Sequence, residues 1–308
     1  MLSFRCRNES GETFTLASPL TVGIKTDENV PADILEGVFA FQPVGRLSEI
    51  EVLRGGECVF RGIPDEQKTL FSADGKTLWL TARSPAALLL DNEAQPCSYD
   101  HPSANFIFHR YAEPFGLTKG EDGDAVYFGE MSVIKGASCW SVLRNFSVGC
   151  YSSLPRVSGS GTLYLKGMPR GKRLLFGDGG IRYSRFCESY KRCEELSAVY
   201  LKTSASDGYT FAVENKAAIA RGVRRVRYLN AMTTPNPVQC AEAMLSGADR
   251  KAYSLELRCP GCLVGLEGSD AAVRTDDGLR EDLTVCGLRY RMDENGEYTD
   301  VIMRRRTN

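Results

Sequence analysis

The spacing of apolar residues in this chain changes twice, from a period of two to one near 3.6 and back. No motif in the sequence constrains the fold as strongly. Glu49-Ile50-Glu51-Val52 alternates polar with apolar, Gly55-Gly56 offers a two-residue turn, and Glu57-Cys58-Val59-Phe60-Arg61 resumes the alternation, which predicts a hairpin. A second turn, Ala73-Asp74-Gly75-Lys76, separates Lys68-Thr69-Leu70-Phe71 from Thr77-Leu78-Trp79-Leu80-Thr81 and extends an antiparallel meander. Ser84 then reads as an N-cap, with Pro85 at the first helical position and a short helix from Ala86 to Leu90.

From about residue 100 the helical period takes over. Ser103 predicts a cap for a helix whose Ala104, Ile107, Phe108, Tyr111, Ala112 and Phe115 share one face, with Pro114 and Gly116 where it should stop. In VIKGASCWSVLRNFSVGC, Ser138 reads as a cap and Cys139, Val142, Leu143 and Phe146 form an apolar stripe. Gly149 sits where a left-handed residue would end the helix. Residues 151–190, including GTLYLKGMPRGKRLLFGDGG, alternate strand-like pieces with glycine turns, and their boundaries stay open. Strand signals return at Leu196 to Lys202 and Tyr209 to Val213, around the turn-rich Ser204-Ala205-Ser206-Asp207-Gly208. Asn236 reads as a cap, with Pro237 in the first turn, of a helix expected to run to about Arg250. Leu283 to Met292 and Tyr298 to Met303 flank Asp293-Glu294-Asn295-Gly296-Glu297, whose Asn-Gly is a strong hairpin signal. The expected class is therefore mainly β with an α+β insert: a β-domain over 1–95, an α/β insert over 96–190, and a second β-domain with one helix over 191–308.

Composition narrows the function. At 308 residues the chain has room for about two domains. A net charge of −1 gives no overall pull toward nucleic acid or an anionic membrane. MLSFRCRNESGETFTL lacks the basic start and apolar run of a secretory signal, and no segment approaches the ~18 apolar residues of a membrane span, so a cytosolic site of synthesis is expected. Eleven scattered cysteines, an odd number, suit free thiols in a reducing compartment.

Catalytic candidates are few. Cys139 near a helix start would feel a favourable dipole, but a nucleophilic thiol needs a base and a group to orient it. The chain holds only His101 and His109, and Cys139 also falls on the apolar stripe, where a small buried residue is expected. Cys259-Pro260-Gly261-Cys262 has the spacing of half a zinc site or a redox dithiol, yet no second pair follows and strand-like sequence lies on both sides; a Pro-Gly turn is the simpler reading, and metal binding there stays open. Glu121-Asp122-Gly123-Asp124 and Gly177-Asp178-Gly179-Gly180 lack a full calcium-ligand series. There is no P-loop, GxSxG elbow or HExxH. Two basic runs remain, Arg221 with Arg224, Arg225 and Arg227, and Arg304-Arg305-Arg306, which read as solvated edges or intersubunit ion pairs rather than a nucleic-acid groove.

In order, ECVFRGIPDE, LTARSPAALLLDNEAQP, the helix end AEPFGL, VIKGASCWSVLRNF and AEAMLSGADRKAYSLELRCPG resemble the baseplate hub proteins of contractile phage tails, the late control or tail-hub family, with relatives in tail-like bacteriocins and type VI secretion spikes. The resemblance spans about residues 48–262 and rests on order and spacing. It implies two tube-type β-barrels per chain joined through small α/β domains, and a homotrimeric ring that adapts a hexameric tail tube to a trimeric spike. It further implies contacts with the tail tube protein, the spike protein and other baseplate proteins, synthesis in a bacterial host cytoplasm, and assembly into a phage tail or tail-like particle. No catalytic residue, cofactor, metal, membrane contact or sequence-specific nucleic-acid contact is implied. Infectious phage, defective prophage and bacteriocin stay equally open. Arg224, Arg225 and Arg227 are the residues chosen for contact with a neighbouring subunit. Two other readings remain: a cytosolic thiol or zinc enzyme built on Cys259, Cys262 or Cys139, and a monomeric β-rich receptor-binding module.

Overall fold

In the computed structural model, which describes residues 2–306 apart from 74, 205–207 and 235, the chain opens with β1 (Leu2–Asn8), β2 (Thr13–Leu16), β3 (Pro19–Asp27), β4 (Ile34–Ala40), β5 (Leu47–Arg54), β6 (Glu57–Ser72) and β7 (Gly75–Arg83). All are antiparallel neighbours in the order β2-β1-β5-β6-β7-β4-β3. The Gly55-Gly56 hairpin forms as the sequence predicts, with φ of +59° and +92° at the two glycines, a backbone that L side chains resist. The second turn joins β6 to β7, although Asp74 lies outside the described residues. Alternation puts every second side chain on one face. Phe4, Leu16, Ile24, Leu35, Phe39, Ile50, Val52, Phe60 and Leu80 meet in a single core, so the seven strands curl around it. Phe4 and Phe39 pack edge to face at 5.2 Å.

The insert follows: α1 (Ala86–Asp91), β8 (Cys97–Asp100), α2 (Ala104–Tyr111), β9 (Thr118–Lys119), β10 (Glu130–Val133), α3 (Cys139–Tyr151), β11 (Arg156–Val157) and β12 (Thr162–Tyr164). Ser103 and Ser138 cap their helices, accepting from the amides of Phe106 at 3.3 Å and Ser141 at 3.2 Å. The expected stripes of both helices, with Trp140, fill one core. Two local expectations change. Ser84 does not cap α1: its buried hydroxyl accepts instead from the Asp33 amide at 3.0 Å, tying the helix start to the β3–β4 loop. Gly149 does not end α3, which runs on to Tyr151 and stops at Ser152 in the left-handed conformation. Glycine is required at 149 by packing, since a Cβ there would lie 2.4 Å from the Tyr127 ring.

The last part contains β13 (Leu174–Phe176), β14 (Arg185–Tyr190), β15 (Ala198–Lys202), β16 (Tyr209–Glu214), α4 (Lys216–Ala220), β17 (Val226–Asn230), α5 (Pro237–Ala252), β18 (Tyr253–Pro260), β19 (Asp270–Thr275), β20 (Gly278–Asp293) and β21 (Gly296–Arg305). β13 pairs with β19 and β14 with β18, so residues 174–190, placed by sequence in the insert, join the second β-region. Conversely β15, β16 and β17 leave that region and form their own three-stranded sheet, backed by α5 through Val199, Leu201, Ala241, Leu245 and Ala248. Short alternating strands carry no label for the sheet they join, and that choice depends on partners far away in sequence. α5 starts where Asn236-Pro237 predicts, but the Asn236 side chain makes no cap bond; its amide donates to Gly149 O at 3.4 Å, and the residue itself is left-handed. The final hairpin forms with Gly296 at φ +116°.

β20 pairs along β3 from Gly287↔Asp27 to Met292↔Val22. The two β-regions are therefore one continuous thirteen-stranded sheet around two separate apolar cores, the second built on Phe176, Leu255, Leu257, Val273, Leu288, Val301 and Met303.

Candidate assembly surfaces

The thiols are placed for packing. Cys139 is 5% exposed in the insert core, burial pushes its thiol up, and no described hydrogen bond joins it to either histidine. His101 pairs with Asp100 at 2.6 Å and His109 with Glu113 at 2.8 Å, both on the surface. Cys259 belongs to the second β-core and Cys262 packs against the first, so the two side chains diverge. Burial raises both thiols, Cys259 to about 12. Between them Gly261 (φ +78°) is held by Thr299, whose hydroxyl donates to Gly261 O at 2.7 Å and accepts from Leu263 N at 3.1 Å. Among the described residues no three His, Cys, Asp or Glu side chains converge as a metal site. The acidic turns are structural: Asp122 accepts from the Leu165 amide at 2.6 Å and Asp124 from the Asn105 amide at 2.8 Å.

The arginine cluster lies at and before β17, an edge strand of the small sheet. Arg221 is committed to the buried carboxylate of Glu195. Burial disfavours that charge, but hydrogen bonds from Tyr190 and Arg221 outweigh it and hold the carboxyl below its usual range. Arg225 donates to Arg192 O at 3.1 Å and Arg227 to the neighbouring Val226 O at 3.1 Å, while Arg224 is exposed without an ion pair among the described residues. On the sheet face away from α5, Tyr200 stacks on Tyr228 at 5.8 Å and Tyr209 meets Tyr228 edge to face at 5.1 Å, with Tyr228 62% exposed. A second apolar surface lies on the β6–β7 hairpin, whose two faces both carry exposed side chains, Phe71 beside Phe41 on one and Leu70 with Trp79 on the other. The sequence reading named neither. Exposed aromatics at alternating positions were visible in it, but which face α5 covers was not.

Arginine side chains tie the units together. Arg156 of β11 is buried against Asp33 and donates to the Val30 carbonyl. Burial pushes the Asp33 carboxyl up to about 7; Arg156 opposes the shift and the nearby Glu267 adds to it. Arg250 of α5 pairs with Glu28 at 2.6 Å and Arg304 of β21 with the same carboxylate at 2.8 Å, which anchors the small α/β unit to the continuous sheet. Arg258 grips Asp300 with two bonds of 2.7 and 2.9 Å across β18 and β21.

No protein-family model matches the sequence, and no curated protein matches it. Solved structures do match. A tail protein from Neisseria meningitidis superposes with a TM-score of 0.76 at 16% identity, over 99% of this chain and 96% of that one. The 43 kDa tail protein of prophage MuSo2 from Shewanella oneidensis gives 0.75 at 15% identity, over 99% and 97%. An Escherichia coli component of the type VI secretion system, itself similar in structure to tail proteins of bacteriophage T4, gives 0.62 at 10% identity, over 99% and 77%. Over essentially its whole length, then, this chain has the β-rich fold of phage tail proteins and their type VI relatives.

Proposed function

We propose that this chain is a structural hub of a contractile phage tail or tail-like particle, acting as a homotrimeric ring between a hexameric tail tube and a trimeric spike. The observation that carries the reading is the pair of separate β-cores within one continuous sheet. Each core is a barrel-like position, so three chains supply six, and a threefold ring meets a sixfold tube without a symmetry clash. The first tube-type barrel lies within 1–95, and the second is built from 174–190 and 253–305. The two α/β units, one on α3 and one on α5, stand outside the ring wall. Full-length likeness in fold to tail proteins supports this reading. The chain works by shape, with the tail tube protein, the spike and other baseplate proteins as partners, and it carries no chemistry of its own. It is made in the bacterial host and assembled into the particle.

The test is the mass in solution by light scattering over a range of concentrations. The expected species is a trimer of about 102 kDa, three times 33.9 kDa, forming alone or on addition of the tube and spike proteins. A chain that stays monomeric at every concentration and with both partners present would overturn the proposal. Charge reversal at Arg224, Arg225 and Arg227 is expected to weaken assembly more at low salt than at high salt, because exposed ion pairs are screened.

A further inference from the structure

The main path of the thirteen-stranded sheet ends in two open strands, β14 and β2, while a branch through β19 ends at β13, where Ile181 N–H bonds to Leu175 O. Among the described residues β14 pairs only with β18, and β2 only with β1. Lys191 N–H donates to Ala252 O, so the hydrogen-bonded pairs along β14 fall on odd-numbered residues, and the backbone N–H and C=O groups of Phe186, Glu188 and Tyr190 face away from β18. At the other end Asn8 N–H donates to Glu12 O, and the same alternation turns Thr13 and Thr15 of β2 outward. Neither strand carries a proline or an internal register shift, two of the devices that blunt an edge, and Phe186 and Tyr190 on β14 are 37% and 55% exposed.

Charge decides what such an edge accepts. Arg182, Arg185 and Lys191 surround β14, all exposed and without an ion pair among the described residues. Glu9 and Glu12, both exposed, flank the turn that leads into β2. Two β14 edges related by a twofold axis would set these cations against their own copies, whereas β14 against β2 sets them beside carboxylates. Resting on the ring proposed above, we infer that β14 of one copy pairs with β2 of the next. The sheet then runs from chain to chain, and ring closure uses both ends of its main path, as a head-to-tail interface requires.

Two experiments test this on the full chain. Reversing Arg185→Glu with Lys191→Glu, or Glu9→Lys with Glu12→Lys, is expected to raise the concentration at the monomer–trimer midpoint at least tenfold, and combining all four should restore most of the loss. Cys187 on β14 is exposed, so in a Cys193→Ser background Thr13→Cys, Phe14→Cys and Thr15→Cys are scanned for interchain disulfides under mild oxidation; covalently linked dimers and trimers are expected from at least one. A trimer that neither cross-links nor responds to the reversals overturns this edge pairing and leaves the ring intact. A chain that remains monomeric even with its tube and spike partners overturns both.

Discussion

Replacing Trp140 with Ala tests whether the insert is a packed domain in its own right. Trp140 is 9% exposed, in the first turn of α3, within a core that also holds Ile107, Phe108, Leu143 and Phe146. A buried tryptophan removes roughly 150–250 Å² from water, worth about 4–6 kcal/mol at ~25 cal/mol per Å². Alanine keeps the Cβ and the cavity partly relaxes, so the expected loss is about 3–5 kcal/mol. At a urea dependence of ~2 kcal/mol per M, the unfolding midpoint of the insert should fall by ~2 M. The chain has several cores, so the measurement must be local: urea titration followed by hydrogen exchange at the α2 and α3 amides, which should lose protection before those of β20 and β21. A loss below about 1 kcal/mol would show that α3 is not held by this core and would refute the reasoning. Cys139→Ser is the control, expected to cost far less because only a sulfur is exchanged at a helix start whose amides are already capped by Ser138.

Other outcomes follow from the same geometry. Gly149→Ala should destabilise α3, because its Cβ would meet the Tyr127 ring at 2.4 Å; Tyr127→Ala in the same chain should relieve the clash and so cost less in the variant than in the native protein, a double-mutant cycle read by thermal unfolding. For Asp33 the folded-state carboxyl lies at about 7, above its unfolded value, so between about pH 4 and pH 7 the folded chain holds a proton the unfolded chain has released. This contribution to stability is full below about pH 4 and is lost as pH rises through about 7; Asp33→Asn should flatten that slope, and an unchanged slope in urea midpoints would refute the assignment. Thiol reagents should modify Cys187 and Cys193 of the native monomer quickly and Cys139 slowly, as read by peptide mass mapping. Fast labelling of Cys139 would contradict its burial.

Much of the local structure was legible because its causes are local. Two consecutive glycines at 55 and 56, serines at 103 and 138 ahead of helical stripes, and Asn-Gly at 295 and 296 act over three or four residues, within reach of a reading along the chain. Where local signals were equally good but a distant group competed, the reading failed. Ser84 has the sequence of a cap and serves the amide of Asp33, 51 residues away; Asn236 has the sequence of a cap and turns its amide to Gly149, 87 residues away; Gly149 looks like a helix stop and is a seat for Tyr127. A hydroxyl or amide takes whichever partner the packed structure brings to it, and sequence adjacency confers no priority.

The chain's amino-acid order by itself settled that strands come first, helices in the middle and strands again at the end, because periodicity and turn chemistry are properties of short windows. Only the tertiary structure decided that β20 lies along β3, making two β-regions one sheet, that residues 174–190 join the second β-region, and that β14 and β2 are left open at the ends of the sheet's main path. Strand pairing is a contest among many similar backbones. Its winner is set by the burial of whole faces and by the closure of long loops, neither of which any short stretch of sequence contains.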